Sequence, residues 1–172
     1  GALTSNTTGS YNAANGTGAL LTNTTGDANT SSGFNAMIGN VSGNGNIAYG
    51  AGALTSNSAG NSNSAAGTNS LFNNQSGNSN VAVGVAALYN TGNRSNLAAV
   101  GDSALYNNGV GAVNPYEATA NSAFGSKALY ANTTGYYNTA TGSNALKNNT
   151  TGIQNTANGT GALFTNTTGG AN

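Results

Sequence analysis

A glycine returns every 17 residues. It stands at Gly16, Gly33, Gly50, Gly67, Gly84 and Gly101, then at Gly125, Gly142 and Gly159, with one step of 24 residues. A leucine keeps the same period from Leu3 and Leu20 to Leu146 and Leu163, with Met37 in the one vacant place. Asparagines do so at Asn12, Asn29, Asn46, Asn63 and Asn80 and resume at Asn121; a second glycine does so at Gly9, Gly26, Gly43, Gly60 and Gly77 and resumes at Gly135. The unit is G-x-x-A-L-x-x-N-T-T-G-x-x-N-T-A-x, numbered here 1 to 17 from its first glycine. The 172 residues hold about ten such units and form a single array.

A unit of this size cannot bury an apolar face by itself, but stacked units can. Two glycines, two asparagines and β-branched threonine make each unit a poor helix. Short alternating stretches bounded by Gly and Asn suit two short strands and two turns. The expected fold is therefore all-β: a parallel β-solenoid over residues 1–172 with one unit per coil. Leu at position 5 should point inward, with small Ala at positions 4 and 16. Gly at positions 1 and 11 should supply positive φ at the corners. Asn also tolerates that region, and its amide can bond to the Asn of the next coil. Leu20 should then lie about 4.8 Å from Leu3 and Met37, all three buried. One Leu and two Ala per coil make a thin core. The columns after Leu (Leu21, Ile38, Phe72, Tyr89, Tyr106, Tyr130, Phe164) and before Gly1 (Tyr49, Val83, Val100, Phe124) offer further burial, either along the rod or between chains.

Composition narrows the function. Three basic and three acidic residues leave no net charge. There is no basic patch for nucleic acid. There is no His or Cys, and the carboxylates are few and scattered. Triads, zinc sites and an acid–base pair find no residues here, and no cofactor or metal site is expected. No apolar run approaches the roughly 18 residues of a membrane span. The chain opens at Gly1 without Met, as expected of a piece of a longer protein.

The stretches NSNVAVGVAAL (78–88), NIAYGAGAL (46–54) and NSAFGSKAL (121–129) resemble the head repeats of YadA-like trimeric autotransporter adhesins. The NTTGxxNTAxGxxAL wording also resembles repeat arrays of bacterial surface proteins and phage-type tail fibres. The resemblance covers essentially the whole chain. It implies a left-handed parallel β-roll, assembled as a homotrimer, in an extracellular fibre at the cell surface. Its units run slightly longer than those of such heads, and the V-A-I-G core is often diluted to T-A-x-G.

Two units break the pattern. The coil 84–101 keeps its length, but its corner reads NTGNRSN and carries Arg94. The next unit holds seven extra residues within 111–121, including Pro115, the only proline. A loop raised on a rigid scaffold is a common carrier of function. Pro115, Tyr116, Glu117 and Arg94 are therefore the candidate recognition residues, with Tyr116 and Glu117 at the tip and Arg94 beneath, pairing with Glu117. The alternative is a tolerated surface insertion. The function expected is structural and adhesive, with a cell, matrix or solid surface as partner besides further copies of the chain. A self-assembling single-chain filament is the first rival. Ice binding through the aligned Thr7, Thr24, Thr133, Thr150 and Thr167 is the second.

Overall fold

The structure, a computed structural model, describes residues 1–172. Nine three-residue strands form one parallel sheet in chain order. They are β1 (Ala13–Asn15), β2 (Thr30–Ser32), β3 (Ile47–Tyr49), β4 (Ser64–Ala66), β5 (Val81–Val83), β6 (Ala98–Val100), β7 (Ser122–Phe124), β8 (Thr139–Thr141) and β9 (Thr156–Asn158). The register follows the repeat: Ser31 pairs with Ala48, and Ala99 pairs with Ala123 across the 24-residue step. The fold is thus the parallel β-solenoid that the period requires, with one coil per unit.

Each coil has one strand, at positions 15 to 17, rather than the two expected. The other half winds as turns, and the cause lies in its backbone. Leu at position 5 sits at φ 49–52° in every coil, and positions 3 and 13 are left-handed as well. Ala86, Ser103, Lys127, Ala28, Ser62 and Tyr137 all occupy such places. A left-handed residue costs an L-amino acid roughly 1–2 kcal/mol, so the stack must over-determine it. It does so through hydrogen bonds between coils: Leu20 N–H donates to Ala36 O at 3.1 Å, and Met37 N–H to Ala53 O at 2.8 Å. Of 112 backbone hydrogen bonds, 96 lie outside the strands, so the turns supply most of the cohesion.

The two glycine ladders do different work. Position 1 has φ 123–143°, as expected. The position-11 glycines Gly9, Gly26, Gly43, Gly60 and Gly77 are absent from the positive-φ residues, which corrects that part of the reading. Their constraint is space. A Cβ on Gly43 would strike Gly60 O of the next coil and Asn40 Oδ1 of its own.

The interior is also richer than Leu and Ala alone. Leu20, Met37, Leu54 and Leu71 are fully buried with the Ala of positions 4 and 16, and Leu3 packs against them at the end of the stack, half-buried. Beside this column run two ladders of buried asparagine, at positions 8 and 14. Asn40 Nδ2 donates to Asn23 Oδ1 at 2.7 Å and to Gly43 O at 3.1 Å. Asn46 Nδ2 donates to Asn29 Oδ1 at 3.1 Å and to Gly60 O at 2.8 Å. These asparagines are not corner residues. They fill the core with amides and close the loop of positions 9 to 13 onto it. Every buried side-chain polar atom has a partner, so the ladders add a net stabilisation of about 0.5–1.5 kcal/mol per bond rather than a burial penalty.

Candidate recognition surface

The irregular coils interrupt both amide ladders at one height. In the coil beginning at Gly84, Thr91 stands at position 8 and Leu97 at position 14. Thr91 Oγ1 donates to Asn74 Oδ1 at 3.3 Å. The Leu97 backbone N–H takes Asn80 Oδ1 at 3.1 Å, and its side chain is buried. The ladders resume at Asn108 and Asn121, where Asn121 Nδ2 reaches Gly135 O at 2.8 Å.

Arg94 stands where position 11 has glycine. Its carbonyl accepts from Asn80 Nδ2 at 2.8 Å, as Gly77 O does from Asn63. Its side chain runs into the space that the next coil's corner would fill, and a Cβ on Gly109 would come within 3.2 Å of its Cγ. The next corner is lifted clear. Asn108 Nδ2 donates to Ala118 O at 2.7 Å, so the buried Ala118 takes the place of the position-11 glycine. The surplus therefore lies in a bulge of residues 109–117, ahead of the boundary read from sequence. Substituted corner and bulge fit one another: the Arg94 side chain lies against the lifted segment, with its Cγ near Gly109 and its Nη2 on Ala112 O.

The four candidate residues do meet here, though not as expected. Arg94 lies beneath the bulge, but its Nη2 donates to Ala112 O at 2.7 Å. Glu117 turns back into the bulge instead of riding at the tip. Its carboxylate accepts from Val113 N–H at 2.7 Å, Asn114 N–H at 3.0 Å and Asn114 Nδ2 at 2.9 Å. The Asn114 backbone N–H, the Asn114 side chain and the Val113 N–H hold its pKa below the ordinary glutamate value, with the Arg94 charge a last, smaller influence. Tyr116 is exposed, but its ring meets Tyr136 of the next coil edge-on at 5.6 Å. The tip itself is Val113 and Pro115, both open to solvent.

Two longer surfaces cross the rod. The column at position 6 stacks on itself: Phe72, Tyr89, Tyr106 and Tyr130 lie ring on ring at 5.0, 5.0 and 5.2 Å, half-buried. That burial runs along one chain. The outward residues of the sheet behave differently. Ile47, Tyr49, Val81, Val83, Val100 and Phe124 form an apolar strip on β3, β5, β6 and β7, each 37–52% exposed, interrupted at β4 by the smaller Ser64 and Ala66. Thr, Ser and Asn take over at both ends, at Thr30, Ser32, Thr139, Thr141, Thr156 and Asn158. The threonines aligned at position 9 donate their hydroxyls to the backbone of the next coil. Thr7 Oγ1 donates to Thr24 O at 2.9 Å, and Thr150 Oγ1 to Thr167 O at 3.1 Å. These donors are held along the axis, coil to coil.

No family model, curated protein or solved structure matches the chain.

Proposed function

We propose that the chain is a structural and adhesive segment of an extracellular fibre at the cell surface. It assembles as a homotrimer and attaches to a cell, matrix or other surface. The observation that carries this reading is the apolar strip on the outer face of β3 to β7. A face carrying several large exposed apolar side chains, rimmed by hydroxyls and amides, marks an association surface. A second copy of the same straight face is its natural cover. The rod carries no net charge, so copies meet without repulsion. With the strip covered, the bulge at 109–117 and the repeated turns stay outside as contact surfaces. The expected sequence resemblance to adhesin heads supports the same reading.

Sedimentation of the segment tests it. The wild type should run as a trimer. The double variant Val83→Lys, Val100→Lys should shift towards monomer while keeping its circular dichroism, because both side chains point outward. A folded wild-type monomer at micromolar concentration would refute the trimer and favour the single-chain rod.

A further inference from the structure

The stacked aromatic run at position 6 begins abruptly at Phe72. The occupants of that position run Thr4, Leu21, Ile38, Thr55, Phe72, Tyr89, Tyr106, Tyr130, Lys147 and Phe164. From Phe72 to Tyr130 each place is filled by a ring stacked on the next. Phe72 stacks on Tyr89 through one face, and Thr55 lies on the side of the other. Thr55 cannot cover that face, because its Oγ1 folds back to donate to Gly52 O at 2.8 Å.

The rest of the same coil is small too, with Ala51 at position 2 and Gly52 at position 3. The coils on either side are large at those places. Phe34 and Asn35 stand on one, Asn69 and Phe72 on the other. The result is a slot one coil wide, of about 240 Å³. A Cβ on Gly52 would strike Asn69 Oδ1, so glycine lets that amide fold over the rim. The lining holds no charge.

We propose that this slot binds a single pyranose ring of a neutral saccharide. This names the ligand class of the adhesive segment and rests on that reading. The volume lies below the roughly 300–1,000 Å³ of pockets for drug-sized ligands, which suits one ring. The apolar C–H face of a pyranose fits the open face of Phe72, and Phe34 forms the opposite wall. Its hydroxyls meet the amides of Asn35 and Asn69, which offer donors and acceptors without charge. An apolar body with a few placed polar groups is the usual make-up of such a site. A phosphate or carboxylate ligand would find no cation here. A plain aromatic ring would leave both amides without hydroxyl partners.

Saturation-transfer NMR on the whole 172-residue segment tests the proposal, with methyl glucoside, galactoside and mannoside at millimolar concentration as probes. At least one should receive saturation. Thr55→Phe puts a ring on the open face of Phe72. It should abolish the transfer without lowering the melting temperature, because it extends a stack the rod already tolerates. Asn69→Ala should weaken binding about tenfold; Ala86 already holds position 3 at φ 53°, so alanine fits that backbone. No transfer to any of the three glycosides overturns the proposal, as does transfer that persists in Thr55→Phe. So does transfer to p-cresol in place of the sugars, which would make the slot a seat for a partner's aromatic side chain. Thr55 is not on the sheet strip, so Thr55→Phe should sediment like the wild type. A lost sugar signal with an unchanged oligomer separates failure here from failure of the trimer.

Discussion

The coils from Gly33 to Val83 and the two coils from Gly84 to Phe124 solve the same stacking problem differently. In the first group the corner glycine, two core asparagines and the corner carbonyl form one closed set. Asn46 Nδ2 and Asn57 Nδ2 both donate to Gly60 O, and the glycine has no Cβ because that carbonyl's counterpart lies against it. In the second group that set is taken apart. Thr91, Arg94 and Leu97 replace Asn, Gly and Asn at positions 8, 11 and 14 of one coil. No polar atom is orphaned, because hydroxyl and backbone groups take over the bonds. The lesson is that the three positions change together. Where the corner carries Arg94, the coil above stands off, and of the two amides that close a regular corner only Asn80 remains, with Thr91 in place of the other.

The sharpest way to break this comparison is to add one methyl group in each region. Gly43→Ala should cost about 3 kcal/mol or more, since its Cβ meets a backbone oxygen that cannot move without the next coil. Gly92→Ala, with nothing within 4 Å of its Cβ, should cost only the roughly 1–2 kcal/mol of a left-handed alanine. Equal losses in thermal or denaturant unfolding would show that the two corners are not under different constraints.

The coupling of corner and bulge comes next in size. Deleting 112–118 restores an N-G-V-G-T-A-N unit, with Gly111 at position 11. By register alone that rod should stay intact. Arg94 stands in the way, because its Cβ would face the lowered Gly111 carbonyl. The deletion should therefore cost on the order of 1–3 kcal/mol. Adding Arg94→Gly should recover most of it, a non-additive pair in a double-mutant cycle. Strict additivity would mean that the corner and the bulge are independent.

Much of this architecture was legible in the repeat. The period fixed the coil and its register, Leu and Ala marked the central column, and the 24-residue step placed the bulge within a few residues. Other features were not legible, for physical reasons. A periodic glycine looks the same whether it is needed for φ or for room; only the Gly60 carbonyl beside Gly43 separates position 11 from position 1. Asn reads as a turn residue because turns are where it is usually found, yet Asn40 and Asn46 are core. Nothing local marks Leu20 as left-handed, since the stack imposes that conformation. The Arg94 to Ala112 contact replaced the expected pair with Glu117 because the two N–H groups and the amide of the bulge reach that carboxylate first.

The smallest effect concerns that carboxylate. Glu117 has its pKa lowered in the folded chain, so its contribution is fully present above the ordinary value of 4.5 and is lost as pH falls through the lowered one. Amide exchange at Val113 and Asn114 should quicken in that acid window, while Leu71 in the regular coils keeps its protection. Glu117→Gln should show the quickened exchange already at neutral pH. If Val113 and Asn114 are unaffected by either change, the carboxylate does not order the bulge.

The asparagine ladders also give the rod a direction. Along both of them the Nδ2 group reaches back to the Oδ1 of the preceding coil, as in Asn40 to Asn23, Asn57 to Asn40 and Asn63 to Asn46. Amide dipoles in such a row point the same way and strengthen one another. A coil that has just closed therefore offers an oxygen to the coil after it and a hydrogen to the coil before it. The two ends of the rod are therefore chemically unlike, one ending in amide oxygens and the other in amide hydrogens. Both rows pause at the coil of Thr91 and Leu97, so the rod holds two separately aligned amide rows, one ending at Asn74 and Asn80 and the other beginning at Asn108 and Asn121.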